Sequence, residues 1–148
     1  MRRTQKVQRI FLLPKKTGGS IMQLRVIDDV SYMIAKFPTS YTIPASFNTI
    51  SSFKSITYTQ DECSVIAPVD SFSTDQALAV DRDWFIIQIV GELAFSLVGI
   101  LTQLANPLAE NQISIFALST YNTDYLLLQN KDKEKALQVL TEDGHQFI

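Results

Sequence analysis

Residues Ile113–Gln129 read ISIFALSTYNTDYLLLQ. Two apolar runs flank the stretch Ser119-Thr120-Tyr121-Asn122-Thr123-Asp124. Ser, Thr, Asn and Asp can bond the backbone groups that a tight connection leaves unpaired, so the pattern predicts a β-hairpin. Its strands are expected over Ile113–Leu118 and Tyr125–Gln129. Whether the polar stretch also holds something is a separate question.

Reading toward the N-terminus, Leu97, Leu101, Leu104 and Leu108 recur at helical spacing, with Val98 and Ala105 widening the stripe. A helix is expected from about Phe95 to Asn111. Gly99 lowers its propensity but would let it approach a sheet closely. Pro107 lacks an N–H and should kink or divide it. Before it, Trp84–Val90 is an almost continuous apolar run, the mark of a covered strand, closed by Gly91-Glu92. Reading toward the C-terminus, Asn130 caps an expected helix over Lys131–Glu142, with Ala136, Leu137, Val139 and Leu140 inward. Gly144 is placed to end it, and His145–Ile148 to begin a final strand. The order strand, helix, strand, strand, helix, strand is the α+β ferredoxin-like βαββαβ pattern, an antiparallel sheet with helices on one face.

The first half follows the same order with shorter helices. Strands are expected at Gln23–Ile27, Val30–Phe37, Phe53–Thr59 and Cys63–Ala67, with turns at Asp28-Asp29 and Gln60-Asp61-Glu62. Ala45–Asn48 is expected to make one helical turn, and Ser73–Val80 a short helix capped by Ser73 or Thr74. This is a repeat of element order and not of residues. Three regions result: a basic flexible extension over 1–21, a degenerate first module over 22–82 and a second module over 83–148. The pattern further predicts that the folded body, and with it the functional chain, begins at Met22.

Composition narrows the function. The 148 residues are 46% apolar, enough for a core in one domain or two small ones. Six bases and no acid lie in residues 1–21, while all fifteen acids lie beyond. An acidic body argues against nucleic acid as a partner. No apolar run approaches the roughly 20 residues of a membrane span, and IFLL is too short for a signal-peptide core. The lone Cys63 permits no internal disulfide and reads as a small buried residue, which makes a reducing cytoplasm the simplest compartment. With one Cys, one His, no metal-ligand spacing and no phosphate loop, neither a catalytic constellation, a metal site nor a cofactor is expected. The pairs Asp28-Asp29 and Asp81-x-Asp83 have nothing basic beside them and read as turn acids.

The run from Phe95 to Leu140 resembles ACT domains. It is most similar to small bacterial tandem-ACT proteins and to the ACT modules of animal cytosolic arginine sensors. The words that carry the likeness are ISIFALSTYNTDY and the preceding PLAEN, with CSVIAPV fitting the first module. The likeness spans roughly 22–148. It implies a non-catalytic regulatory protein that binds a free amino acid between modules, and the threonine, aromatic residue and aspartate of a T-aromatic-x-x-D motif carry over to Thr120, Tyr121 and Asp124. The arginine sensors have four modules and this chain two, so arginine specificity is not carried over.

The residues make that reading chemically sensible. A carboxylate needs donors, and a helix beginning near Phe95-Ser96 would offer unpaired N–H groups beside the Ser96 hydroxyl. Gly91 would let the chain turn beside the ligand, and Asp124 could receive an ammonium group. Each candidate also has a structural reading. Thr120 is an ordinary turn residue, Asp124 could bond its own turn, Phe95 could be core and Ser96 a helix-start residue. A homodimer through sheet edges or helix faces is expected, together with a regulated protein partner. The other reading is a protein–protein interaction module of ACT fold with no small ligand.

Overall fold

The computed structural model describes residues 21–91 and 99–148. Among these described residues are seven strands: β1 (Gln23–Phe37), β2 (Ser55–Tyr58), β3 (Cys63–Pro68), β4 (Ala79–Ile89), β5 (Ile115–Ser119), β6 (Asp124–Gln129) and β7 (Gln146–Phe147). Two α-helices, α1 (Ile100–Glu110) and α2 (Lys133–Glu142), and two 3-10 turns, Ala45–Thr49 and Asn130–Asp132, complete the described elements. The chain divides into two compact units. One is continuous in sequence, Asp28–Trp84; the other is split, built from 21–27 and the described part of Phe85–Ile148.

The long strands β1 and β4 each run through both units. In the split unit the strand order is β7-β1-β4-β6-β5. There β4 leads into α1, β5, β6 and α2, and the place beside β4 is taken by the first residues of β1. The expected final strand does form, as β7, but it pairs in parallel with β1 through Gln23 and Leu24. Bonds from Gln146 N–H to the Met22 carbonyl and from Ile148 N–H to the Leu24 carbonyl, both 2.9 Å, fix it there. In the continuous unit the order is β2-β3-β1-β4, with β1/β3 and β2/β3 antiparallel.

Period-two alternation decides what each unit buries. In the split unit Leu24, Phe85, Ile87, Ile89, Ile115, Leu126 and Leu128 project to one face. Leu104, Ala105 and Leu108 of α1 and Ala136 and Leu140 of α2 cover them, with Leu101, Leu137 and Val139 packed at the margin. Fully burying a side chain such as Leu128 contributes roughly 1.5–3 kcal/mol, so this layer is the unit's main stabilising feature. In the continuous unit Met33, Ala35, Phe37, Cys63, Val65 and Ala67 face one way. Their cover is not an α-helix. Phe37 stacks on Tyr41 with centroids 3.9 Å apart, and Phe72 meets Phe37 at 6.0 Å and Phe47 at 5.6 Å. Aromatic rings on turns take the place of a helical layer in this core. Lys54 closes the 3-10 turn by donating from Nζ to the carbonyls of Phe47, Asn48 and Ile50, at 3.0, 3.0 and 2.8 Å.

Several local expectations give way. Asp28-Asp29 is not a turn: β1 runs on from Gln23 to Phe37, with Asp28 at φ 53 inside it. Short polar side chains tolerate that left-handed conformation, so an aspartate can serve within a strand what it usually serves between strands. Ser73–Val80 forms no helix. Ala77 N–H reaches the Thr74 carbonyl in a single turn, and Leu78 N–H is already bonded to the Lys36 carbonyl at 2.7 Å. One sheet bond outweighs a helix too short to repay its nucleation. Asn130 opens a 3-10 turn, and α2 starts at Lys133 with Asp132 at its N-cap position.

Helix α1 contains Pro107 without being divided. The missing N–H forfeits one bond in the last turn, and the proline is itself buried. Gly99 stands outside the helix as its N-cap, at φ 82 and with open space where a Cβ would lie. Its role is backbone conformation and not close approach to the sheet. Residues 95–98 of the expected helix, Leu97 and Val98 among them, lie outside the described residues. Both helices end alike. Gly144 at φ 100 donates to the Thr141 carbonyl while His145 N–H reaches the Leu140 carbonyl, and Gln112 at φ 61 with Ile113 repeats the closure on Ala109 and Leu108.

Candidate functional site

The opening hairpin forms as the sequence predicts. Ile115 to Ser119 pair antiparallel with Leu128 to Asp124, so the loop proper is Thr120-Tyr121-Asn122-Thr123. Its geometry is held from within. Thr120 N–H donates to the Thr123 carbonyl at 2.9 Å, and Thr120 Oγ1 reaches the same carbonyl at 3.1 Å. Across the last strand pair, Ser119 Oγ donates to Asp124 Oδ1 at 2.6 Å. Hydroxyl-to-carboxylate bonds of that length are among the stronger protein hydrogen bonds, and this one fixes the rotamer of Asp124.

Asp124 is half-buried at the first position of β6, and among the described residues no ion pair to it is seen. Tyr121, at the tip, is 76% exposed, an unusual position for a large aromatic side chain. Thr120 and Asn122 are exposed as well.

Thr123 differs. It is only 4% exposed, and its Oγ1 donates to the carbonyl of Ile89 at 2.7 Å. Ile89 ends β4, and β4 and β6 are neighbouring strands. Just beyond, Val90 N–H bonds the Gln23 carbonyl at 2.9 Å, and Gly91 turns the chain at φ 104. No atom lies within 4 Å of where a Gly91 Cβ would be, so the glycine answers to the turn and not to crowding. The expected residues Gly91, Thr120, Tyr121 and Asp124 thus belong to one end of the split unit. Phe95 and Ser96 lie outside the described residues.

Sequence reasoning passed over Thr123. A threonine among Ser, Asn and Asp reads as one more turn residue, and no spacing rule marks it as buried. His145 was set aside as a lone histidine; it is buried, its Nδ1 accepts the Met22 N–H at 3.2 Å, and Nε2 stands 3.5 Å from Asp143 Oδ2. Accepting at Nδ1 places the proton of the neutral ring on Nε2. Cys63 is buried in β3, and desolvation, with the Glu62 charge adding, holds its thiol above the ordinary range. Among the described residues no group of three or more His, Cys, Asp or Glu could hold a metal ion, and no helix is long and apolar enough to cross a membrane.

An antiparallel sheet with two helices packed on one face, entered by a βαββα run, defines a ferredoxin-like α+β protein. Residues 79–142 match the ACT domain family model. That stretch of the chain is an ACT domain. Protein Atu0741 from Agrobacterium tumefaciens is similar in structure, with a TM-score of 0.77 and 33% identity over 88% of this chain and 94% of that one. The human protein CASTOR3P is 31% identical over 91 residues, which is 54% of this chain and 56% of that protein, so the match spans about half of the curated relative. The regulatory subunit of aspartate kinase from Thermus thermophilus, in its ligand-free form, shares the fold at a TM-score of 0.58 with 10% identity, over 84% of this chain and 99% of that one.

Proposed function

We propose that this protein is a non-catalytic regulatory sensor that binds a free amino acid at the end of the split unit formed by Gly91 and the β5–β6 loop. The observation that carries the reading is Asp124. It is a half-buried carboxylate, oriented by Ser119 and without a cationic partner among the described residues, beside an exposed tyrosine on a closed loop. Such a group suits the ammonium or cationic side chain of an amino acid, and a charged hydrogen bond there contributes roughly 1.5–3 kcal/mol. Thr120 and Tyr121 complete the contact set. Phe95 and Ser96, outside the described residues, enter on the sequence reading alone, as backbone and hydroxyl donors for the carboxylate. In cells the chain acts in the cytoplasm as a homodimer, and the ligand changes its affinity for a regulated protein partner only as far as it binds two states unequally.

A specific observation favours the other reading, an interaction module without a small ligand. Thr120 and Ser119 already spend their hydroxyls within the hairpin. Thermal unfolding with each of the twenty amino acids separates the two. A ligand at about 100 times its dissociation constant stabilises by about 2.7 kcal/mol, worth roughly 5–10 °C for a chain of this size. That shift in one or a few of the twenty, abolished in Asp124→Asn, is the expected outcome. No shift with any of them at millimolar concentration rejects the sensor and leaves the interaction module.

A further inference from the structure

We infer that Thr123 is a positioning residue whose hydroxyl latches the β5–β6 loop onto the end of β4 and so sets where Thr120, Tyr121 and Asp124 stand relative to Gly91. The inference rests on the reading of that end as an amino-acid site, and adds to it a residue that neither the motif nor the resemblance assigns.

The bonds inside the hairpin fix the shape of the loop. Thr120 to Thr123 and Ser119 to Asp124 all close over six consecutive residues. None of them fixes where the loop sits on the sheet. The Thr123 hydroxyl does, because its acceptor, the Ile89 carbonyl, is 34 residues away and two residues before Gly91. The bond is buried, so water does not compete for it, and an acceptor left bare there costs its full desolvation. Thr123 is also adjacent to Asp124 along the chain. A rotation of the loop that frees Thr123 from Ile89 carries the Asp124 backbone with it. Threonine suits the task in two ways: its branched side chain has few rotamers, and its hydroxyl can donate outward while its own carbonyl accepts from Thr120.

The test compares Thr123→Val, which keeps the shape and removes the donor, with Thr123→Ser, which keeps the donor. Hydrogen exchange at the Thr120 amide is read against the core amides of β6, so that general loss of stability is separated from loosening of the loop. Affinity is read by calorimetry for the amino acid that most stabilises the wild type in the panel of twenty. The latch predicts that Thr123→Val speeds Thr120 exchange about tenfold relative to the core and weakens binding about tenfold, with Thr123→Ser within about threefold of wild type on both. Tenfold corresponds to 1.4 kcal/mol. Wild-type affinity in Thr123→Val, or equal damage in both variants, overturns the positioning role. If no amino acid stabilises the wild type, the ligand reading fails alone, and the exchange arm still decides the latch. Unchanged Thr120 protection in Thr123→Val overturns it.

Discussion

Replacing Gly99 by alanine distinguishes two accounts of the same helix by sign. If the helix ran from Phe95 to Asn111, Gly99 would lie inside it, and alanine would stabilise the protein by about 0.8–1.0 kcal/mol. In the structure Gly99 is the N-cap at φ 82, ψ 7, and α1 begins at Ile100. An L-residue in that conformation costs about 1–2 kcal/mol, because its Cβ crowds the following carbonyl. No steric term adds to this, since nothing lies within 4 Å of the new methyl group. The expected result is therefore destabilisation of about 1–2 kcal/mol, a fall in melting temperature of roughly 2–8 °C for a chain of this size. Gly99→Asn is the control. Asparagine tolerates the left-handed region and is favoured at N-caps, so it should cost less than alanine. Urea unfolding of the three proteins, read by far-ultraviolet circular dichroism, measures the order. An alanine variant as stable as the wild type, or more so, refutes the capping assignment and restores the longer helix.

Tyr32→Phe tests the interior of the continuous unit by pH. Burial, with the hydrogen bond to Asp28 and its charge adding, pushes the Tyr32 phenol well above its ordinary value of about 10, so the folded state holds the proton that the unfolded chain releases. Stability from this source is complete below about pH 10 and is lost as pH rises above it. Wild-type stability should thus fall more steeply above pH 10 than that of Tyr32→Phe, as measured by urea unfolding at a series of alkaline pH values. Lys54→Met removes the ammonium from three carbonyls while keeping the aliphatic stem. It should destabilise by about 1–3 kcal/mol, and thermal unfolding that shows no loss would make the cradle incidental.

The split unit was more legible than the continuous one, for a physical reason. Its strands and helices each bury one face, so Leu104, Leu108, Leu126, Leu128 and Leu140 write the period of their element into the sequence. The continuous unit covers its sheet with rings carried on turns, Tyr41, Phe47 and Phe72, and rings so placed have no period to read. At the candidate site, the hairpin and Gly91 were legible from turn chemistry, and the T-aromatic-x-x-D residues from resemblance. Thr123 was not, because its burial depends on an acceptor 34 residues away. The N-cap at Gly99 was missed because the leucine stripe appeared to run through it, and a period cannot report where φ changes sign.

The two aspartate signals show most clearly why local chemistry misleads about connectivity. Asp28 at φ 53 and Asp83 at φ 69 both adopt the left-handed conformation that aspartate carries into turns. Read locally, each predicts the end of an element. Each instead lies inside a long strand, within two residues of where that strand leaves one compact unit for the other, at 27/28 in β1 and 84/85 in β4. The left-handed residue lets a strand change its local path without ending. The consequence reaches the candidate site. Because β4 begins at Ala79 and runs through Asp83, Ile89, just before Gly91, is the terminus of an 11-residue strand and not of a short one. It is pinned further by the Val90 bond to Gln23, a residue that sequence order alone assigns to the first module. The β5–β6 loop, bonded to that terminus through the Thr123 hydroxyl, is therefore mounted on a strand end that is itself held to the first residues of β1.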